Sequence, residues 1–516
     1  MGYMANLGHQ VIKNSIYSFI GFIWPILLAF IATPLLIRGL GSAKFGYYIL
    51  LNASVAFFAL LDFGLSYTFI KKLSEEPENA GNESVKKLFS STFWAYLVIG
   101  LLVFLLLCFL PNLFNSWFRI PDGYAYSHQL IFFCLGLTFL FKMLSVTIGQ
   151  IPYALQRSDI TTKVALLNVT LVQVASVILV LTGHGIASLV IVQLFSSVIV
   201  FLLYFFISRS ILPNLKLEFY FSPYFFKGIA KDGFWNFIAS GAGNLLTQLD
   251  KFVVGIFCGS TGVTYYTSSQ MIPEKIHCTA FSLSICFFPV FSRASISGPD
   301  DGVRKIFRRG FSMVAFVSGG LSLAVLIYNY QLLKYWLGTE IADNASLAVI
   351  FLVGTYFLTS LGSFGSFFVS GWRKLKFSAF TAVLMAVLDI IFMFILIPRF
   401  QVAGAAAAYL LSVLPIPFFI LYIEKNYLKS ETIGAIKFYL KHILKMAIVI
   451  IPVYLFSVAF FIPIASSLLS TILLGGISFL LYVGIYWLLG FFNPDDISLL
   501  KEFMQRSLLK FNLKHE

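Results

Sequence analysis

The chain has 516 residues, of which 59% are hydrophobic and only 11% are charged, and its mean hydropathy is +0.89. Soluble domains average about 25% charged residues, so this composition excludes a water-soluble protein. Apolar segments of roughly 18 or more residues recur along the sequence, and the alternating pattern of a membrane β-barrel is absent. We therefore predict an all-α polytopic membrane protein.

The apolar segments predict about fourteen transmembrane helices. In chain order they cover residues 14–38, 45–69, 88–111, 128–152, 163–182, 186–208, 232–257, 263–292, 309–329, 345–370, 377–398, 402–423, 440–461 and 466–491. The first segment is too long for the apolar region of a signal peptide and lacks a small-residue cleavage site. We expect it to remain in the protein as the first membrane span.

The basic residues are distributed unevenly between the two sides of these spans. With the N-terminus in the cytoplasm, 28 of the 36 lysines and arginines fall on the cytoplasmic side, and the opposite side receives Arg38, Lys44, Arg119, Lys334 and Arg399. The positive-inside rule then predicts that both termini are cytoplasmic. It also accounts for the net charge of +14 without a nucleic-acid partner.

Apart from basic residues already assigned to one side of the membrane, the predicted spans contain three lysines, Lys142, Lys251 and Lys275, and four acids, Asp62, Asp250, Glu274 and Asp389. Each charge near the middle of a bilayer costs about 3 kcal/mol, so these groups must face one another or a hydrated cavity. Asp62 lies close to the end of its span, and we interpret it as a packing or capping residue.

An internal repeat relates the two halves of the chain. With an offset of 218 residues, "GSAKFGYY" at 41–48 lies over "GSTGVTYY" at 259–266. A similar offset of 216 places Gln173 over Asp389. Six predicted spans separate the copies, so the repeat is parallel, and such halves place a substrate site at their interface.

Three segments carry a resemblance to a known family. Residues 33–75, which include "LDFGL" at 61–65, resemble the opening of Wzx-type polysaccharide and O-antigen flippases. These belong to the multidrug/oligosaccharidyl-lipid/polysaccharide (MOP) exporter superfamily. "QLDKFVVGIFCGSTGVTYYTSSQ" at 248–270 resembles the seventh span of the family, and "VAGAAAAYLLS" at 402–412 resembles its twelfth.

The resemblance implies a fold and a transport function. The fold has two pseudo-symmetric six-helix lobes in a MATE-like V, at residues 1–212 and 213–430, followed by helices 13 and 14 with a cytoplasmic tail at 431–516. The implied substrate is an undecaprenyl diphosphate-linked oligosaccharide. It passes from the cytoplasmic to the periplasmic leaflet of the bacterial inner membrane for O-antigen (lipopolysaccharide) or capsule synthesis.

A diphosphate crossing the membrane needs compensating positive charge. Lys142, Lys251 and Lys275 are the candidates, although Asp250 and Glu274 would alternatively neutralise the last two. Amide groups for the sugars are available at Gln150, Gln173, Gln193, Asn236, Asn244, Gln248 and Gln270. Any of these amides would alternatively form a hydrogen bond between two helices.

Energy coupling is predicted from the acidic residues. Gln270, Glu274 and His277 share one helical face, and Pro273 within this run weakens the backbone hydrogen bonds. We expect Glu274 and His277 to take part in proton or sodium coupling, with Asp250 and Asp389 as further candidates. The alternative is that Glu274 pairs with Lys275 or His277 and only holds two helices together.

The sequence lacks the features of an enzyme. No GxxxxGK[ST] motif, metal-ligand spacing or catalytic cluster appears, so we predict no enzymatic activity and no cofactor. The expected partners are the lipid-linked oligosaccharide, a proton or sodium ion, membrane lipids and the polysaccharide polymerase machinery. Two alternative functions remain: a cation-coupled multidrug exporter of the same superfamily, and a non-transporting membrane assembly partner.

The topology is testable by labelling. Single cysteines introduced into the predicted cytoplasmic segments 70–87, 209–231, 293–308 and 424–439 should resist a membrane-impermeant thiol reagent applied to intact cells. They should react once the membrane is permeabilised. Reaction in intact cells would contradict the orientation.

Overall fold

A computed structural model describes residues 2–62, 65–75, 83–118, 125–155, 157–213, 217–220, 223–298, 300–372 and 374–492. Regular structure in these ranges is helical. The α-helices are α1 (Gly2–Leu40), α2 (Ser42–Phe58), α3 (Leu65–Glu75), α4 (Glu83–Phe109), α5 (Pro111–Phe118), α6 (Ala125–Ala154), α7 (Ser158–Leu181), α8 (Ile186–Ile211), α9 (Pro223–Met271), α10 (Pro273–Ile285), α11 (Phe288–Ser297), α12 (Asp301–Leu337), α13 (Thr339–Gly371), α14 (Leu375–Ser412), α15 (Pro415–Asn426), α16 (Thr432–Phe456) and α17 (Leu468–Leu488).

The helices confirm the prediction of an all-α membrane protein. Within the described ranges, ten helical stretches are long and apolar enough to cross a membrane, or eleven if α10 and α11, bent by 41°, count as one span. The count of fourteen stays a prediction. Some neighbouring predicted spans are joined in one long helix with a single non-helical residue, at Gly259 in α9 and at Gln401 in α14.

The chain folds into two compact units. Unit 1 comprises Met1–Ser268 and Leu375–Ser412. Inside it, α6 packs against α4 and α8, and α1 runs along α7. A buried apolar cluster joins α3, α4 and α6, with Phe69, Leu88 and Ile151 among its members. The predicted lobe boundaries at 212 and 430 differ from the bounds of these units and stay a prediction.

Asp62 has a structural role in unit 1, as the sequence suggested. It ends a short 3-10 helix (Ala59–Asp62) that interrupts the second predicted span. Its carboxylate accepts a hydrogen bond from Ser66 Oγ at 2.7 Å and another from the hydroxyl of the buried Tyr96 on α4. These two hydrogen bonds provide partners for the carboxylate of Asp62 and hold the interrupted span against α4.

Unit 2 comprises Ser269–Lys374 and Val413–Glu516. Its central helix is α13, which packs against α10, α12 and α15, while α17 packs against α12. Arg308 on α12 donates to both carboxylate oxygens of the buried Glu424 on α15, at 2.9 and 3.0 Å. Tyr439 Oη on α16 donates to the same carboxylate at 2.8 Å. Three helices are thereby held together by one fully bonded acid.

The internal repeat is visible at two turns of unit 1. Gly41 separates α1 from α2 with a φ of 81°, and Gly259 breaks α9 with a φ of 69°. Both residues occupy the left-handed region, which glycine adopts without steric penalty. They stand at equivalent positions of the repeat, 218 residues apart.

The segments after these two turns also pack against each other. Thr264 Oγ1 donates to the backbone carbonyl of Ser42 at 2.6 Å. Gly46 lies so close to the carbonyl of Ser260 that a methyl group there would collide with it. Ser42 is equivalent to Ser260 in the repeat, and Gly46 is equivalent to Thr264. The two contacts are therefore equivalent, with the roles of the two copies exchanged. We call this contact the repeat seam.

The repeat seam predicts an unfavourable effect of Gly46→Ala. The added methyl group meets backbone rather than a flexible side chain, so we expect a loss of about 1–3 kcal/mol in stability and a lower melting temperature in detergent. Gly243→Ala is the matched control, because a methyl group at that helical position meets open space. Equal melting temperatures for the two variants would contradict the close packing.

Candidate functional site

A cavity of about 740 Å³ with both polar and apolar lining residues lies within unit 1. Helices α2, α6, α7 and α8 form its walls. Helices α6, α7 and α8 are long and apolar enough to cross a membrane, and α2 lies in the second predicted span. Its lining residues are Asn52, Val55, Ala56, Phe139, Lys142, Met143, Ser145, Val146, Gly149, Gln150, Tyr153, Thr161, Asn168, Ser197, Val200 and Tyr204. Cavities of this size suit small polar ligands or the head group of a larger one.

Lys142 is the one charged residue among those lining residues. It lies on α6, two helical turns before Gln150, and its side chain is exposed to the open space of the cavity. Within the part of the chain that the structure describes, Lys142 has no hydrogen-bond or ion-pair partner. The cavity therefore presents one uncompensated cation among hydroxyl and amide groups.

Two asparagines of the cavity wall are held in fixed orientations. Gln193 Nε2 on α8 donates to Asn52 Oδ1 at 2.8 Å and to Tyr48 Oη at 2.7 Å. Ser196 Oγ donates to Asn168 Oδ1 at 2.6 Å. Such bonds fix the amide groups before any ligand arrives.

The sequence identified part of this cavity. Lys142 and Gln150 line it, and Gln193 contacts the lining residue Asn52. Asn52 and Asn168 were missed, although both are polar residues inside apolar segments and could have been flagged on that ground. Gln173, on α7, is partly buried and is not a lining residue.

Several further candidates of unit 1 lie on α9, outside the cavity lining. Lys251 Nζ donates to Gln248 Oε1 at 3.1 Å, and the backbone N–H of Lys251 donates to Asp250 Oδ1 at 2.7 Å. Asn244 is exposed. The side chain of Asn236 lies outside the described part of the chain.

Two buried acids come together from distant parts of the sequence. Asp250 on α9 is 0% exposed and Asp389 on α14 is 3% exposed, and the charge of Asp250 acts on Asp389. Asp389 Oδ1 has no hydrogen-bond partner among the described residues. Two neighbouring carboxylates in a low-dielectric site cannot both remain charged without a counter-ion, so the pair favours binding of a proton or a cation.

In unit 2, the predicted coupling residues have different environments. Glu274 is exposed and forms a 3.8 Å ion pair with the half-exposed Lys275, whereas Gln270 is buried. His277 packs near Phe281 and Tyr356. A break at Ile272 ends α9, and α10 begins at Pro273. Ile272 keeps helical backbone angles (φ −83°, ψ −51°), so the shared face of Gln270, Glu274 and His277 stays a prediction.

The model of one protein family, described as polysaccharide biosynthesis protein, matches residues 11–295, which is more than half of the chain. The chain belongs to this family. It is also 22% identical over 410 residues to a Shigella flexneri protein named "Putative O-antigen transporter", covering 78% of this chain and 95% of that one. A Bacillus subtilis (strain 168) protein, "Uncharacterized membrane protein EpsK", is 21% identical over 385 residues, covering 72% and 74%.

Solved structures show the same fold. The lipid II flippase MurJ in an inward closed conformation matches with a TM-score of 0.72 and 17% identity, covering 92% of this chain and 99% of MurJ. An inward-facing MATE family multidrug resistance transporter of the MOP superfamily matches with a TM-score of 0.66 and 14% identity, covering 78% and 96%. The solved structures confirm the fold, and the family match and the O-antigen transporter relative confirm the resemblance to polysaccharide flippases.

The acid pair of this family member generates a testable prediction. Adding sodium at constant ionic strength, or lowering the pH, should raise the melting temperature of the protein by a few degrees. The reason is that a ligand at 100 times its Kd stabilises the folded state by about 2.7 kcal/mol. Asp389→Asn should abolish most of that response, and Glu274→Gln should retain it. An Asp389→Asn variant that responds like the parent would exclude the pair as the cation site.

Proposed function

We propose that the protein translocates an undecaprenyl diphosphate-linked oligosaccharide across the inner membrane for surface polysaccharide synthesis. Family membership and the similarity to a protein named as an O-antigen transporter support a carrier for a glycan precursor. The observation that carries the proposal is Lys142, which stands as an uncompensated cation in a cavity whose other lining residues are uncharged. A diphosphate is the anion that such a substrate offers.

The cavity chemistry suits a phosphorylated sugar. An ammonium group within a membrane span attracts a phosphate oxygen more strongly than it would in solution, because its surroundings have a lower dielectric constant. Amides at Asn52, Gln150 and Asn168, with the hydroxyls around them, are hydrogen-bonding partners for sugar hydroxyls. An acidic side chain would repel the diphosphate, and the residues lining this cavity include none.

The alternative functions fit the cavity less well. A cation-coupled multidrug exporter is expected to favour acidic groups where its cationic substrate binds, and the described lining carries a lysine instead. A non-transporting assembly partner has no need for an unpaired charge at membrane depth, which costs several kcal/mol unless a ligand compensates it.

Two further elements complete the proposal. Asp250 and Asp389 form the site where a proton or sodium ion couples transport to the membrane gradient, in preference to Glu274, whose carboxylate is exposed and already paired. Both termini are proposed to be cytoplasmic, on the basis of the charge distribution.

Transport by substituted variants tests the role of Lys142. In proteoliposomes loaded with fluorescent lipid-linked oligosaccharide, Lys142→Gln should lower the initial rate by roughly tenfold or more, because a charge-assisted bond worth about 1.5–3 kcal/mol is lost. Lys142→Arg should keep more activity, because it keeps the charge.

Lys305→Gln is the matched control for this experiment. It removes the same charge from an exposed position of α12 outside the cavity, so its transport rate should equal that of the parent. Normal transport by Lys142→Gln would refute the cationic site. No transport of the lipid-linked oligosaccharide by the parent protein would refute the proposed function itself.

A further inference from the structure

Helix α16 carries a regular series of cations. Lys437, Lys441 and Lys445 follow one another at four-residue intervals, which places them along one side of the helix. Lys437 and Lys441 are exposed, and the charges of Lys441 and Lys445 interact. Like charges at this spacing destabilise an isolated helix, so the series favours a bound anion.

The same part of α16 exposes large apolar side chains. Leu440, Ile443 and Leu444 are each about three-fifths exposed, at 59%, 59% and 62%. The stretch that contains α16 is also one of those long and apolar enough to cross a membrane. The exposed surface therefore suits lipid chains, and the lysines near the start of the helix lie where such a span meets the lipid head groups.

The lysines are not neutralised by acids in the described part of the chain. Lys445 Nζ donates to the backbone carbonyl of Phe491, at 3.4 Å, and lies 5.1 Å from the centre of its ring. Lys437 and Lys441 have no ion pair among the residues that the structure describes. The buried Glu424, on the preceding helix, is already bonded to Arg308 and Tyr439.

We propose that this lysine series binds the head group of an anionic phospholipid. Its phosphate complements Lys437 and Lys441, and its acyl chains pack on the apolar side chains of the same helix. A zwitterionic lipid carries its own cation beside the phosphate, so it competes poorly for the site. This binding site is independent of the cavity around Lys142, and a bound lipid would anchor α16 at the membrane surface.

Lipid titration of the full-length protein tests the proposal. Fluorescent phosphatidylglycerol and phosphatidylcholine with identical acyl chains are titrated into purified protein in neutral detergent. The parent should prefer phosphatidylglycerol. Lys437→Gln, Lys441→Gln and Lys445→Gln combined should weaken that binding by roughly tenfold or more and leave phosphatidylcholine binding unchanged, because each lysine near an anionic head group contributes about a factor of five.

Two further triple variants control for charge and folding. Lys305→Gln, Lys374→Gln and Lys425→Gln combined remove the same net charge from exposed positions on other elements and should bind as the parent does. The corresponding arginine triple at 437, 441 and 445 should retain binding, which also shows that these positions tolerate substitution. Equal losses in both glutamine triples, or no lipid preference in the parent, would overturn the proposal.

Discussion

The free energy cost of placing a charge inside a membrane indicates which residues of this protein are expected to bind a ligand. A charge near mid-bilayer costs several kcal/mol unless something compensates it. Glu424 is compensated within the fold, because Arg308 and Tyr439 bond its carboxylate. The charge of Asp250 acts on Asp389, and Lys142 lines an open cavity. Among the residues that the structure describes, neither of these two charges is neutralised by an oppositely charged side chain in the way that Glu424 is. The last two are therefore the positions where a cation and an anion are expected to bind.

The repeat seam shows how duplicated segments form one compact contact. Each copy supplies a turn with a left-handed glycine, Gly41 or Gly259, and each following segment packs on the other. The partners are not identical: Gly46 permits close approach of a carbonyl, whereas Thr264 at the matching position donates a hydrogen bond. The difference between Gly46 and Thr264 is thus explained by the different ways in which these two equivalent positions contact the other copy.

The sequence predicted the all-α membrane fold, because long apolar segments have few alternatives in a membrane. It also found Lys142 and the acids, since charges are rare in such segments. It could not select Asn52 and Asn168 from the many polar residues of the spans, because lining a cavity depends on packing between helices. Nor could it show that Glu274 is exposed and paired with Lys275, since exposure depends on how the helices pack.

A structure with bound lipid-linked oligosaccharide tests the central claim most directly. The account predicts a phosphate oxygen within about 2.7–2.9 Å of Lys142 Nζ, the range of a charge-assisted hydrogen bond. It also predicts sugar hydroxyls within hydrogen-bonding distance of Asn52, Gln150 or Asn168. A diphosphate bound elsewhere, with Lys142 in contact only with water, would contradict the account.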